Sequence, residues 1–175
     1  MYFYTLLVIV LVILAFVFWQ WALIEHSFFI RYGKTEAKGE LNILMTAKAP
    51  YVEYTSAKPE KLYTIIVADP DAPSPKHRDK CPWRHMAVVD IPGHKLLDGI
   101  KNIEGAGKIL TPYNGPNPPA HSGPHRYEVK LLEQQSVLID PKVPQDRRNW
   151  NMEAFIKDNN LTEIAEKNFI VEKIN

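Results

Sequence analysis

Cysteine is nearly absent from the chain: Cys81 is the only one in 175 residues. No intrachain disulfide can form, and a zinc site built from several thiolates is excluded. Neither sign of charge dominates, since 21 Lys and Arg stand against 20 Asp and Glu, a formal net charge of +1. No basic run and no stripe of basic residues interleaved with aromatics occurs, so nucleic-acid binding has no electrostatic support. Internal repeats, low-complexity tracts and any HExxH spacing are missing as well. The last of these removes the pattern that places two metal-binding histidines on one helical face.

One long hydrophobic run is present. Leu6 to Trp19 is fourteen apolar residues without a break, and after Gln20 the run resumes as WALI. Taken from Thr5 to Ile24 it is twenty residues, about 30 Å as a helix, the thickness of a hydrocarbon core. A cleaved signal peptide fits poorly, because no basic segment precedes Leu6 and no small-x-small cleavage site follows. The expectation is an uncleaved single-pass anchor that contacts the membrane through residues 5–24. Residues 1–29 then form the anchor and a short juxtamembrane segment, and residues 30–175 form the domain. Arg31, Lys34 and Lys38 follow the span, which favours the cytoplasmic side for that domain.

The remaining stretch has the size of one ordinary domain. Ten of the fourteen prolines fall between Pro70 and Pro124, among strand-like runs and aromatics. Such prolines stiffen loops; they do not mark a disordered linker. Strands are predicted at LNILMT (41–46), YVEYT (51–55), LYTIIVA (62–68), HMAVVDI (85–91) and HRYEVKLLEQ (125–134), with FIVEKI near the C-terminus as a last one. The central runs are almost continuously apolar, as strands buried on both faces are. A helix is predicted over MEAFIKDNN, capped by Asn151. The pattern implies a mainly β (β-rich α+β) domain of the sandwich class with short peripheral helices.

Three segments concentrate polar groups among prolines. DPDAP carries Asp69 and Asp71 at the exit of an apolar strand, and CPWRHM brings Trp83 and His85 to the entrance of the next. YNGPNPPAHSGPHRY ends with His125, Arg126 and Tyr127 at a third. If these strands are neighbours, the segments meet at one end of a sheet and line one pocket. Imidazole N–H and phenol O–H groups are donors and phosphate offers only acceptors, so the pocket suits a small anion or a phosphorylated head group. The aspartates orient the histidines and favour their charged form, against burial, which opposes it. On that reading anion binding weakens as pH rises through the histidine range. Taken singly, DPD is ordinary turn chemistry, and Arg126 is a partner for a loop carboxylate.

These three segments resemble, in order, the signatures of the phosphatidylethanolamine-binding protein family. The resemblance covers roughly Ile30 to the C-terminus. It implies a large β-sheet packed with a smaller one and short helices at the edges. It also implies a binding and regulatory module and not an enzyme, with no cofactor and no metal. By position it assigns Asp69, Asp71, Trp83, His85, Pro119, His125 and Tyr127 to an anion pocket, with Pro73, Tyr113, Gly115, Pro116 and Pro118 framing it. Arg126 matches a structural arginine, and the Asp69–Pro70 bond is a candidate for the cis form. The implied partners are a phosphatidylethanolamine-like head group or a phosphorylated small molecule or peptide, and a protein such as a kinase or protease. His121 stands where the family usually has glycine, and Pro124 where an aliphatic residue is common. The competing reading is a metal-dependent hydrolase in which the Asp and His cluster holds zinc or manganese. A Cys81 nucleophile paired with His85, and a scaffold with a vestigial pocket, are weaker alternatives.

Overall fold

The structure is a computed structural model that describes residues 2–25 and 27–174. Eight strands form two sheets among the described residues. The smaller sheet has the order β2-β1-β3, from β1 (Phe28–Tyr32), β2 (Thr35–Glu36) and β3 (Tyr51–Tyr54). The larger comprises β4 (Leu62–Asp69), β5 (Trp83–Pro92), β6 (Lys108–Thr111), β7 (His125–Gln134) and β8 (Thr162–Val171) in the order β6-β5-β4-β7-β8, every pair antiparallel. Three helices flank them: α1 (Tyr2–Glu25), α2 (Gly93–Asp98) and α3 (Met152–Asp158).

The apolar runs of β4 and β5 explain their central place. Ile65 and Val67 face one core together with Met86 and Val88, and Ile66 and Ala68 face the other with Ala87 and Val89. The first core is closed by the small sheet through Phe28, Ile30 and Val52. The second is closed by Leu138, Trp150 and Phe155, the last on α3. Full burial of such a side chain stabilises by about 1.5–3 kcal/mol, so only a layer on each face satisfies a strand apolar on both sides.

Several expectations change. Residues 41–46 do not form a strand; the Asn42 side chain accepts from the Leu44 amide at 2.7 Å, and a 3₁₀ turn, Met45–Ala47, follows. β1 crosses the boundary placed between residues 29 and 30. The last strand starts at Thr162, seven residues before FIVEKI.

The anchor is also corrected. α1 forms, but among the described residues no helix is long and apolar enough to cross a membrane. Its described side chains are Tyr4 and Leu6–Trp19, and the rest of the expected span, residues 5 and 20–24, lies outside them. The single-pass location, the contact through residues 5–24 and the cytoplasmic orientation are overturned together.

Candidate functional site

Antiparallel pairing brings the C-terminal end of β4 beside the N-terminal ends of β5 and β7, with Asp69 opposite Trp83 in register. The three Pro-rich segments therefore meet at one end of the large sheet. There, Asp69, Ala72, Pro73, Lys80, Trp83, His85, Asn117, Pro118, Pro119, His125 and Tyr127 line a cavity of about 200 Å³. Sites for drug-sized ligands run to roughly 300–1,000 Å³, so this one takes a small ligand or the head of a larger one.

The side chains at its base are fixed by buried hydrogen bonds. His125 Nδ1–H donates to Asp69 Oδ2 at 2.8 Å, and the other oxygen, Oδ1, accepts from the Asp71 amide at 2.7 Å. His125 and Asp69 are 1% and 3% exposed. His85 Nδ1–H donates to the Asn114 carbonyl, and its ring meets Tyr127 edge-on with centroids 5.1 Å apart. Tyr127 in turn stacks on Phe169 from β8 at 5.2 Å. Burial pushes the Tyr127 phenol up, and the Asp69 charge pushes it further, so the hydroxyl stays a neutral donor.

Charge sharpens the picture at His85. Burial pushes its imidazole below the ordinary value, and the opposing pull of the Asn114 carbonyl and the Asp69 carboxylate is too weak to reverse it. The expectation that carboxylates would dominate is thus corrected for this residue. In the neutral ring Nδ1 carries the proton, so Nε2 holds a lone pair.

Two of the expected ligand residues do not line the cavity. Asp71 is 1% exposed and lies under the loop, where both its oxygens are taken by Arg126 Nε (2.8 Å), Nη2 (2.9 Å) and amide (3.0 Å), and by Arg78 (2.9 Å). Burial would raise the Asp71 carboxyl, but the Arg126 hydrogen bonds outweigh it and hold the group below its usual range. Tyr113 turns its hydroxyl to the Thr46 carbonyl (2.8 Å) and receives one from Tyr32 (2.9 Å). Burial raises the Tyr113 phenol too. Close packing makes Gly115 obligatory in this frame, since a Cβ there would meet the Thr46 carbonyl oxygen at 2.6 Å. His121 and Pro124 are exposed and stand outside the lining. The cis bonds are Ala72–Pro73 and Cys81–Pro82, not Asp69–Pro70.

Lys80, Ala72 and Asn117 line the cavity without having been singled out in the sequence. Lys80 sits in the charged stretch KHRDK, where nothing marks one lysine from its neighbours. As for a metal, among the described residues no group of three or more His, Cys, Asp or Glu side chains is placed to hold one. Asp69 is engaged with His125, and Asp71 with two arginines, which leaves the hydrolase reading without a donor set.

A sequence model of the family described as phosphatidylethanolamine-binding protein matches residues 25–170. The chain belongs to that family. Among curated relatives, Protein MOTHER of FT and TFL1 homolog 2 of Oryza sativa subsp. japonica is 38% identical over 111 residues, 62% of this chain and 59% of that protein. The chain thus spans somewhat under two thirds of that relative's length. Among solved structures, a carboxypeptidase Y inhibitor complexed with its cognate proteinase superposes with a TM-score of 0.70 at 21% identity, over 83% of this chain and 82% of that one. A phosphatidylethanolamine-binding protein from Plasmodium vivax gives 0.69 at 20% identity, over 83% and 84%. These two likenesses establish the shared phosphatidylethanolamine-binding fold, mostly β with two sheets and few helices.

Proposed function

We propose that this chain is a binding and regulatory module whose cavity captures the phosphorylated head group of a phospholipid, or a phosphorylated small molecule or peptide. The observation that carries the reading is the composition of one small cavity. Two buried imidazoles, a phenol and the Lys80 ammonium converge on it from two strand ends and one loop, and its walls are Trp83 and prolines. Asp69 is the one carboxylate in the lining, and its Oδ2 accepts from His125. Toward an acceptor-only ligand the phenol and the ammonium donate, and His85 Nε2 joins them on protonation, while Asp69 Oδ1 and Oδ2 hold the loop and the ring in place.

Neutral head-group capture asks little of the cavity's volume. The phosphate enters, and the remainder of the ligand stays outside the mouth. Modulation of a protein partner, a kinase or a protease, is part of the proposal on family membership: one structural relative is a proteinase inhibitor. Titration calorimetry of phosphoethanolamine into the full chain is the test. Saturable binding that is lost on blocking the cavity supports the reading, and the absence of any binding at millimolar ligand overturns it.

A further inference from the structure

Ser122 is not among the cavity-lining residues, yet it completes a chain of contacts that head-group capture does not require. Its Oγ stands 3.0 Å from His125 Nε2, and the opposite ring nitrogen, Nδ1, donates to Asp69 Oδ2 at 2.8 Å. Asp69 is itself held by the Asp71 amide. A carboxylate that accepts from Nδ1–H sets the tautomer of a neutral imidazole, so the lone pair lies on Nε2, facing the serine. Hydroxyl, imidazole and buried carboxylate thus stand in the order nucleophile, base and orienting group.

Local backbone geometry presents the serine. Ser122 is half-buried and sits between His121 (φ 60°) and Gly123 (φ 92°), both in the left-handed region. Its single proton has two acceptors in reach, Nε2 and the Pro119 carbonyl at 2.7 Å, and rotation about Cβ–Oγ moves it between them. The Pro119 contact alone would tie the loop; the approach to Nε2 is additional. For a developing oxyanion the turn offers the adjacent Gly123 amide, which has no partner among the described residues.

We propose that Ser122 is a nucleophile that accepts an acyl group from a short-chain carboxylic ester, with His125 as general base and Asp69 as its positioning residue. In the first step the Oγ–C bond forms and the hydroxyl proton passes to Nε2. The C–O bond to the leaving alcohol then breaks, and the imidazolium returns the proton to that alcohol. Water repeats the sequence on the acyl-serine, releasing the carboxylic acid and restoring the hydroxyl. This goes beyond ligand capture and shares with it His125 and Asp69.

A fluorophosphonate probe tests it directly on the full chain. Attack forms an Oγ–P bond, fluoride leaves, and the proton goes to His125. The expected result is one adduct per chain by intact mass, mapped to Ser122 by peptide sequencing. Labelling should slow by about a hundredfold or more in His125→Gln and Asp69→Asn. No adduct on wild-type protein, or an adduct elsewhere, overturns the proposal without recourse to any variant that fails to fold. So does Ser122 labelling at an unchanged rate in both variants. Wild-type protein that binds phosphoethanolamine but takes no label sinks the nucleophile and spares the capture reading; labelled protein that binds no phosphoethanolamine does the reverse.

Discussion

Asp69 and His125 are 56 residues apart in the chain and share a hydrogen bond of 2.8 Å between Oδ2 and Nδ1, both side chains buried. Only the β5-β4-β7 order of the large sheet makes this contact, because it sets the end of β4 against the start of β7. The pair couples fold to site. A shift of register between those strands would move His125 and Tyr127 relative to Asp69 by one position. It also fixes the carboxylate, which accepts from the His125 ring and from the Asp71 amide.

Replacing His85 with Ala is expected to weaken phosphoethanolamine binding ten- to a hundredfold. Its ring lines the cavity, and once a bound anion favours protonation of Nε2 the charge-assisted hydrogen bond it donates is worth about 1.5–3 kcal/mol. Titration calorimetry of the variant measures this. An unchanged dissociation constant would place the ligand elsewhere.

Arg126→Ala is expected to destabilise the fold by about 2 kcal/mol or more. It strips Asp71, 1% exposed, of two guanidinium hydrogen bonds and leaves a buried carboxylate short of partners. The arginine side chain is half-exposed, and Arg78 still reaches Asp71, so the loss stays below that of a fully buried pair. Denaturant melts of both proteins decide; a difference under about 0.5 kcal/mol would make the pair a surface ornament.

How much of this was legible in the sequence follows from where each residue lies. β4, β5 and β7 could be read because a strand buried on both faces leaves a continuous apolar run, and Pro, Gly and Asp bound each one. β8 could be read only at its last three residues, the start of FIVEKI: TEIAEKNFIV is a sheet-edge strand, and most of its residues are half-exposed or exposed. β1, FFIRY, follows the long apolar run of α1 so closely that its boundary was invisible. The cavity residues came from three ordered motifs, whereas Lys80 reaches the cavity only through a loop path that no local pattern encodes. The position of Asp71 beneath the loop depends on two arginines seven and 55 residues away, a tertiary fact.

Asn151→Ala is expected to cost about 1 kcal/mol. Asn151 Oδ1 accepts from the Ala154 amide at 2.9 Å, satisfying one of the amides that a helix start leaves without a partner. α3 carries Phe155 into the second core, so fraying its first turn loosens that packing. A fall in Tm of a few degrees by calorimetry would agree with this, and no change would show that the core alone holds α3.

Affinity for a singly charged sulfonate analogue of the head group is expected to rise as pH falls below about 6.5. His85 is the coupling group. Burial depresses its pKa; the Asn114 carbonyl and Asp69 oppose this, and the charge of Arg147 reinforces it. Tyr127 and Lys80 also face the cavity, and burial keeps the phenol neutral throughout this range. Nδ1 donates to Asn114 in either state, so protonation changes Nε2 alone, from a lone pair to a donor. A bound anion stabilises the donor and raises the His85 pKa in the complex. Binding therefore takes up protons, and affinity grows with falling pH. Stability of the free protein moves the other way. With a folded pKa below the unfolded value, His85 contributes stability that is present above about pH 6.5 and lost as pH falls through its depressed value. Melts with and without the analogue separate the two slopes. The ligand-induced rise in Tm should be larger near pH 5.5 than near pH 7.5 at fixed ligand concentration, and His85→Asn should flatten the difference. Calorimetry in two buffers of unlike ionisation enthalpy counts the protons taken up. A Tm shift that is constant across this range would remove His85 from the coupling and leave Lys80 as the contact that holds the anion.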